Sequence, residues 1–456
     1  MTKIRLFIAS ILGSIALIAL LISIILYFRE YRLITAHMES MVASEIVPYP
    51  SPISQFSLSL TETSSSLLYP PSPSPLPPQP TQPPPPPLCQ FKSDIALETQ
   101  AASVANYSFS EPRIVRESSQ NIEIVEWLPD NQQVLITQEE FPLQNIELFE
   151  PETKEVQTLA TRRIVHTPPV WLPTLNAVLY TEMNIIDATK QPVLFTRQLW
   201  VSQKDTREVH KISDEISSFN ISADPKSDRF TYQGTKQLFT HSPKSDSTQM
   251  VAIDPLQWTS PAEPGQDRSF DPPYNLAWRP GSAQIAFYSE KGLFLVDADT
   301  GEVCDVNLDG WTHIARWSPD GRYLAMVWSF GDLLHNPSEL VVLDMETGKT
   351  YSYRVIPDTI GEGYVTDIVW APDNRHLVTI GKYYPDISVG KTTRGLFLVD
   401  IIQGSSNSIE STIQLGGGEW GTNIAWSPDG SKLIIACPTE EVERLCLIDV
   451  QKKDSP

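Results

Sequence analysis

A short design repeated seven times constrains this chain more than any other feature of its sequence. In each copy an apolar run ends at Trp, Pro follows two residues later, a turn residue comes next, and a second apolar run begins. The copies are centred on Trp127-Leu128-Pro129-Asp130, Trp171-Leu172-Pro173-Thr174, Ala223-Asp224-Pro225-Lys226, Trp278-Arg279-Pro280-Gly281, Trp317-Ser318-Pro319-Asp320-Gly321, Trp370-Ala371-Pro372-Asp373 and Trp426-Ser427-Pro428-Asp429-Gly430. Only the third lacks the Trp. Pro presets φ for the first central position of a turn, Asp or Asn can bond the backbone that follows it, and Gly accepts the positive φ that closes a hairpin. Each copy is therefore expected to be a strand, a tight turn and a returning strand.

The seven prolines follow one another at intervals of 44, 52, 55, 39, 53 and 56 residues, a recurrence that marks a repeat architecture. Forty to fifty residues of strand-rich sequence suit a four-stranded propeller blade. The expected fold is all-β, a seven-bladed β-propeller, with six or eight blades as alternatives. The first blade is read as Ile122–Trp127, Gln133–Thr137, Asn145–Phe149 and Glu155–Leu159. The fifth is read as His313–Trp317, Tyr323–Trp328, Glu339–Asp344 and Thr350–Val355. Blade seven is one strand short, because little follows Leu445–Val450; Ile114 and Val115 are expected to pair beside the strand holding Leu447 and so close the ring, which removes exposed sheet edges.

Ahead of the repeats stand two segments of other character. Leu6 to Phe28 carries no charge over 23 residues, and as a helix it spans about 35 Å, enough for a bilayer core. Arg29-Glu30-Tyr31-Arg32 follows it in place of a small-residue cleavage site, so an uncleaved anchor is expected. Lys3, Arg5 and the amino terminus against Arg29 and Arg32 favour the amino terminus inside and the bulk of the chain outside the cytoplasm. From Pro48 to Leu88, 15 of 41 residues are Pro, which predicts an extended, semi-rigid spacer. The expected organisation is a tail over 1–5, the membrane helix over 6–28, a juxtamembrane segment over 29–47, a proline- and serine-rich linker over 48–92, a connector over 93–111 and the propeller over 112–456.

Residues 93–456 hold 29 Lys and Arg against 51 Asp and Glu, so the domain repels phosphate backbones and nucleic acid is excluded as a partner. Cys437 and Cys446 face each other across the last hairpin, either as a disulfide, which needs a compartment outside the cytosol, or as two reduced core thiols. Cys89 is expected to be unpaired. The acidic turns Asp297-Ala298-Asp299-Thr300-Gly301 and Asp344-Met345-Glu346-Thr347-Gly348 lack the spacing of a calcium loop and are read as Gly-closed hairpins. Gly416-Gly417-Gly418-Glu419-Trp420-Gly421 precedes a strand, not a helix, and is read as a blade-to-blade loop. The seven His residues show no metal-ligand spacing, no nucleophile motif appears, and no cofactor is implied.

Candidate recognition residues come from register. Six residues before the signature Trp, blades five, six and seven carry Trp311, Tyr364 and Trp420, and His166 and His313 lie near the same channel mouth. Aromatics beside Asp309, Glu362 and Glu419 suit a ligand with an apolar face and positive charge; the alternative is that each ring packs on its neighbouring blade. Thr181–Arg197, Gln233–Thr248, Ser329–Ser338 and Lys382–Arg394, with Phe239, Phe330, Tyr383 and Tyr384, are expected to be long loops on that face. The stretch from Leu256 to Tyr274 is an insertion expected to replace or displace the outer strand of blade three.

Trp426-Ser427-Pro428-Asp429-Gly430-Ser431-Lys432 and Trp317-Ser318-Pro319-Asp320-Gly321-Arg322 resemble the WD40-like Pro-Asp repeat of TolB-type β-propellers, over about residues 112–456. The resemblance implies a closed propeller used as a binding platform or as a gating domain. An anchor ahead of a propeller also resembles the layout of dipeptidyl-peptidase-type enzymes, but no Gly-x-Ser-x-Gly elbow is present. The expected function is therefore a membrane-anchored binding or scaffold module for an extracytoplasmic protein, peptide or glycan. An enzyme of lyase or glycosidase type, with paired carboxylates at the channel mouth, is the alternative, and a structural subunit of an envelope complex is a third possibility.

Overall fold

The turns explain the architecture. In blade five the Ser318 carbonyl accepts the Gly321 N–H at 2.8 Å, with Gly321 at φ +78°. The Asp320 carboxylate meanwhile accepts the Arg322 N–H and the Ser318 hydroxyl, and Ser318 Oγ accepts the Tyr323 N–H. Blade seven repeats the set with Ser427, Asp429, Gly430 at φ +79°, Ser431 and Lys432. Where Gly is missing, Asn131 and Asn374 take the left-handed position at φ 60° and 61°. Their side-chain oxygens then accept the N–H of Asp429 and Asp320 in the adjoining blades.

The computed structural model describes Cys89, residues 92–97 and residues 107–453, apart from 164–166, 188–193, 215, 217–219, 235–236, 252–273, 290–291, 307, 309–310, 330–338, 357–361, 387–390, 410–422 and 440–441. The expected membrane helix, the linker except for Cys89 and Lys92, His166, Trp420 and the Gly416–Gly421 loop lie outside these residues. Among the described residues the one helical element is the 3-10 turn Pro173–Leu175, and no helix is long and apolar enough to cross a membrane.

Seven antiparallel sheets follow in chain order. Blade one is Ile122–Trp127, Val134–Glu140, Leu143–Phe149 and Val156–Arg163; blade five is Trp311–Trp317, Tyr323–Ser329, Glu339–Asp344 and Lys349–Tyr353. Blade three, despite lacking the Trp, has four strands. Its outer strand Ser247–Val251 is in place ahead of the Leu256–Tyr274 insertion, so it is neither replaced nor displaced. Asp224 accepts the Gly281 N–H of blade four, and Arg229 lies 5.1 Å over the Trp278 ring.

A hydrophobic core fills each seam between neighbouring blades. One of these holds Ile124, Trp127 and Val134 of blade one with Ile434, Leu445 and Leu447 of blade seven, so the ring is closed. The signature Trp joins blades directly at two seams: Trp317 Nε1 donates to the Ala277 carbonyl of blade four at 2.8 Å, and Trp370 Nε1 to the Arg316 carbonyl of blade five at 2.9 Å.

Closure uses the amino-terminal segment, as the missing strand requires. Arg113 pairs with Leu447 and Ile114 with Cys446, while Val115 sits at an irregularity and is buried in the blade seven to blade one core. The added edge begins earlier than residue 112, because Tyr107–Phe109 pairs with residues 450–452 of the same partner strand. Arg116 then crosses to Glu147 of blade one at 2.8 Å, and Arg113 to Glu152 at 2.7 Å.

Both pairs of cysteines are disulfide-bonded, Cys437 to Cys446 and Cys89 to Cys304. The expectation of an unpaired Cys89 is corrected: its partner lies in Val303–Asp305, the outer strand of blade four, 215 residues away. Beyond it, Lys92–Leu97 adds as a parallel fifth strand to the outer edge of blade five.

Candidate functional site

The inner strands begin at one end of the ring, and three of the expected recognition residues are brought there. Trp311 opens the inner strand of blade five opposite Ser329, and His313 occupies the irregularity between Thr312 and Ile314. Tyr364 of blade six is half-buried and pairs with Lys382, whose ammonium lies 5.7 Å over its ring. The cation expected of a ligand is thus supplied to this ring by its own blade. Just after His166 in the chain, Thr167 offers its carbonyl to Arg162, a fully buried guanidinium that also donates to the Thr181 carbonyl and to Gln144.

Two of the expected long loops are mainly strand. Ala177–Asp187 runs into Leu194–Gln203, and His376–Asp386 into Lys391–Asp400, so Tyr383 and Tyr384 are ladder residues and Tyr383 packs edge-on against Phe397. Gln233–Thr248 contains the third strand Leu238–Ser242, and Phe239 stacks on Tyr232 at 5.4 Å. Alternation outweighed loop composition in these stretches. The two acidic turns behave as hairpins: Gly301 and Gly348 bond back to the Asp297 and Asp344 carbonyls, and the Asp297 carboxylate accepts two backbone N–H groups.

Sequence reasoning missed the inner wall of the ring. The innermost strand of each blade leaves one row of N–H groups without a sheet partner, and such groups need acceptors. Three side chains reach across to the next blade to supply them. Glu126 accepts the Trp171 N–H at 2.8 Å, Ser222 the Trp278 N–H at 2.9 Å, and Asp367 the Asn423 N–H at 2.6 Å. Burial pushes Glu126 up to about 7 and Asp367 up to about 6, offset in part by the Arg316 charge and the bonds to backbone N–H. Arg316 itself is exposed, on the inner strand of blade five. The wall therefore carries two carboxyls that titrate near neutrality under the influence of one guanidinium.

A second missed feature lies at the end where the inner strands begin. Ile122 opens the inner strand of blade one and pairs with Gln138, so the hairpin tip that follows, Glu139 to Leu143, stands beyond it. Phe141 is 70% exposed and Leu143 41% exposed, while the Glu139 and Glu140 carboxylates have no ion-pair or hydrogen-bond partner among the described residues. An exposed aromatic flanked by charge at a hairpin tip is a candidate recognition feature. The phrase Glu-Glu-Phe-Pro-Leu was its only sequence signal.

No protein-family model matches the chain. Over 143 residues it is 30% identical to echinoderm microtubule-associated protein-like 4 of Mus musculus, which accounts for 30% of this chain. The chain spans only 13% of the length of that relative. Among solved structures, an oligogalacturonate lyase in complex with manganese superposes with a TM-score of 0.51 at 12% identity, over 76% of this chain and 99% of the other. An oligogalacturonate lyase from Vibrio parahaemolyticus gives 0.50 at 13% identity, over 77% and 98%. A GH74 enzyme of Niastella koreensis gives 0.50 at 9%, over 72% and 52%. Identities this low bear on fold alone, and together with the seven sheets they establish that the chain folds as a WD40-like seven-bladed β-propeller.

Proposed function

We propose that this protein is a membrane-tethered, extracytoplasmic propeller of the TolB type that binds a protein, peptide or glycan on the face where its inner strands begin. The observation that carries the choice of binding over catalysis is the use made of the wall carboxylates. An acid–base pair needs carboxyl oxygens free to meet a substrate. Here Glu126 and Asp367 each accept an inner-edge N–H of the next blade and so hold the ring. The blade-one tip with Phe141 and Leu143 is free of such duty. An extracytoplasmic location is supported by the pairing of all four cysteines, and the tether by the apolar run from Leu6 to Phe28 with the proline-rich stretch behind it.

The enzyme alternative keeps one supporting observation, the charged wall of Glu126, Asp367 and Arg316, in a fold shared with oligogalacturonate lyases. One experiment separates the two. The full chain, its Phe141→Ser variant and its Glu126→Gln variant are used to capture envelope proteins, screened on a glycan array, and assayed on oligogalacturonate. Binding lost with Phe141→Ser and kept with Glu126→Gln supports the binding face. Turnover that disappears with Glu126→Gln would make the protein an enzyme. Protease shaving of intact cells tests the orientation, and a protected propeller would overturn it.

A further inference from the structure

Between the proline-rich stretch and blade one, the chain attaches to the rim three times. Cys89 is bonded to Cys304, and its N–H donates to the Asp305 carbonyl at 2.7 Å. Lys92–Leu97 lies along the edge strand Lys349–Tyr353, with a break in register between Lys92 and Ala96. Tyr107–Phe109 and Arg113–Ser118 then complete blade seven. Only the last attachment closes the ring.

That closing strand is poorly placed to resist tension from its amino-terminal side. Tyr107, where the tension arrives, pairs with Lys452, and Ser108 and Phe109 follow with Gln451 and Val450. Hydrogen bonds of an antiparallel ladder run across the strands, so a load that lifts Tyr107 off its partner strand breaks them one pair at a time. The Tyr107 hydroxyl bond to Asp373 at 2.8 Å is the first additional hold.

We propose that the Cys89–Cys304 disulfide is a mechanical lock that keeps tension on residues 1–88 away from the ring-closing strand. This rests on the proposal that those residues tether the propeller. With the bond formed, load passes from Cys89 covalently into the outer strand of blade four, and the closing strand carries none of it. With the bond reduced, load passes through the irregular parallel ladder of Lys92–Leu97 and on to Tyr107. Cys89 is buried among Leu293, Val306, Leu308 and Trp328 of blades four and five, which limits access of thiols to the folded ring. Opening the lock takes two electrons and two protons from a dithiol, which becomes a disulfide as Cys89 and Cys304 become thiols.

The test is force spectroscopy on the full chain in detergent micelles, held by a peptide tag at the amino terminus and another inserted in the Leu256–Tyr274 stretch. The oxidised protein is expected to rupture first at blade level. Protein reduced with dithiothreitol, or carrying Cys304→Ser, is expected to show an earlier step at half that force or less. That step releases up to about 100 Å as residues 90–118 leave the rim. A Cys437→Ala/Cys446→Ala variant, which keeps the rim disulfide, should behave as the oxidised protein. Equal first-rupture forces and step lengths in the oxidised, reduced and Cys304→Ser proteins would overturn the proposal. The measurement does not depend on the chain being anchored in cells, so a negative protease-shaving result and a negative pulling result are distinguishable.

Discussion

Trp→Phe substitutions at four signature positions separate packing from inter-blade bonding. Every one of Trp127, Trp317, Trp370 and Trp426 is buried, and shrinking the ring at any of them costs about 1–2 kcal/mol in lost contact and cavity. At Trp317 and Trp370 the substitution also removes the donor to a neighbouring blade's carbonyl, at Ala277 and Arg316. Leaving such an acceptor unsatisfied costs a further 1–3 kcal/mol or so. At Trp127 and Trp426 the indole nitrogen is buried with no partner among the described residues, so Phe removes an unsatisfied donor and recovers part of the packing loss. Trp317→Phe and Trp370→Phe are therefore expected to cost about 3 kcal/mol, against about 1 kcal/mol for Trp127→Phe and Trp426→Phe. The gap of about 2 kcal/mol is close to thirtyfold in the folding equilibrium. Urea unfolding of the full chain with disulfides intact, followed by far-ultraviolet circular dichroism, resolves this as a midpoint difference at constant slope. Equal losses at all four positions would refute the assignment of the indole bonds as ties between blades.

Glu126 and Asp367, raised to about 7 and about 6, bind protons in the folded state that the unfolded chain has already released. Their contribution to stability is thus full below about pH 4 and is lost as pH rises to about 7. Glu126→Gln should match the parent near pH 4 and be more stable at pH 8, by up to about 3 kcal/mol, in urea midpoints taken at the two values. The cluster at the blade six to blade seven seam works the other way on its acid side. Backbone and side-chain hydrogen bonds, outweighing burial, hold Asp373 and Asp400 well below the usual carboxylate range, and bonds to both raise His376 despite its burial. The carboxylate contribution is present above about pH 4 and lost below it, while the His376 contribution is full below about pH 6.5 and lost as pH climbs through its raised value. The cost of His376→Gln, read as a melting-temperature difference, should shrink between pH 6 and pH 9; a constant difference would mean that the imidazolium is not the species holding the seam. Chain entropy gives about 5 kcal/mol for the bond closing a span of 215 residues and about 2.6 kcal/mol for the one closing 9. Cys304→Ser should accordingly lower the melting temperature about twice as far as Cys446→Ser, measured by calorimetry.

The blades were legible because a blade is local. Pro319, Asp320 and Gly321 decide one turn among residues a few positions apart, and the strands on either side announce themselves by alternation. The missing strand of blade seven was legible for a different reason: a sheet edge without a partner demands one, and Ile114 and Val115 lay directly ahead of blade one. Cys89 was not legible, since its contact with Cys304 depends on where the linker meets the rim, and no local pattern encodes that. The same limit hid the start of the closing strand at Tyr107, whose neighbours look polar and unpatterned until Val450 and Lys452 are beside them.

Function was less legible than fold because the ring uses its chemistry-bearing side chains to hold itself together. Glu126 and Asp367 look in sequence like any charged residues near a strand end, yet both are spent on N–H groups that a closed ring exposes at its inner edge. Tyr364 looks like a rim aromatic awaiting a cation, and Lys382 already covers it. By contrast Phe141 is unremarked by register, because it belongs to the second hairpin turn of blade one and not to the signature stretch that the blades share. What a repeat shares from blade to blade is what builds the wheel. Recognition has to be sought outside what the blades share, and the exposed Phe141, beside glutamates with no ion-pair partner among the described residues, lies there.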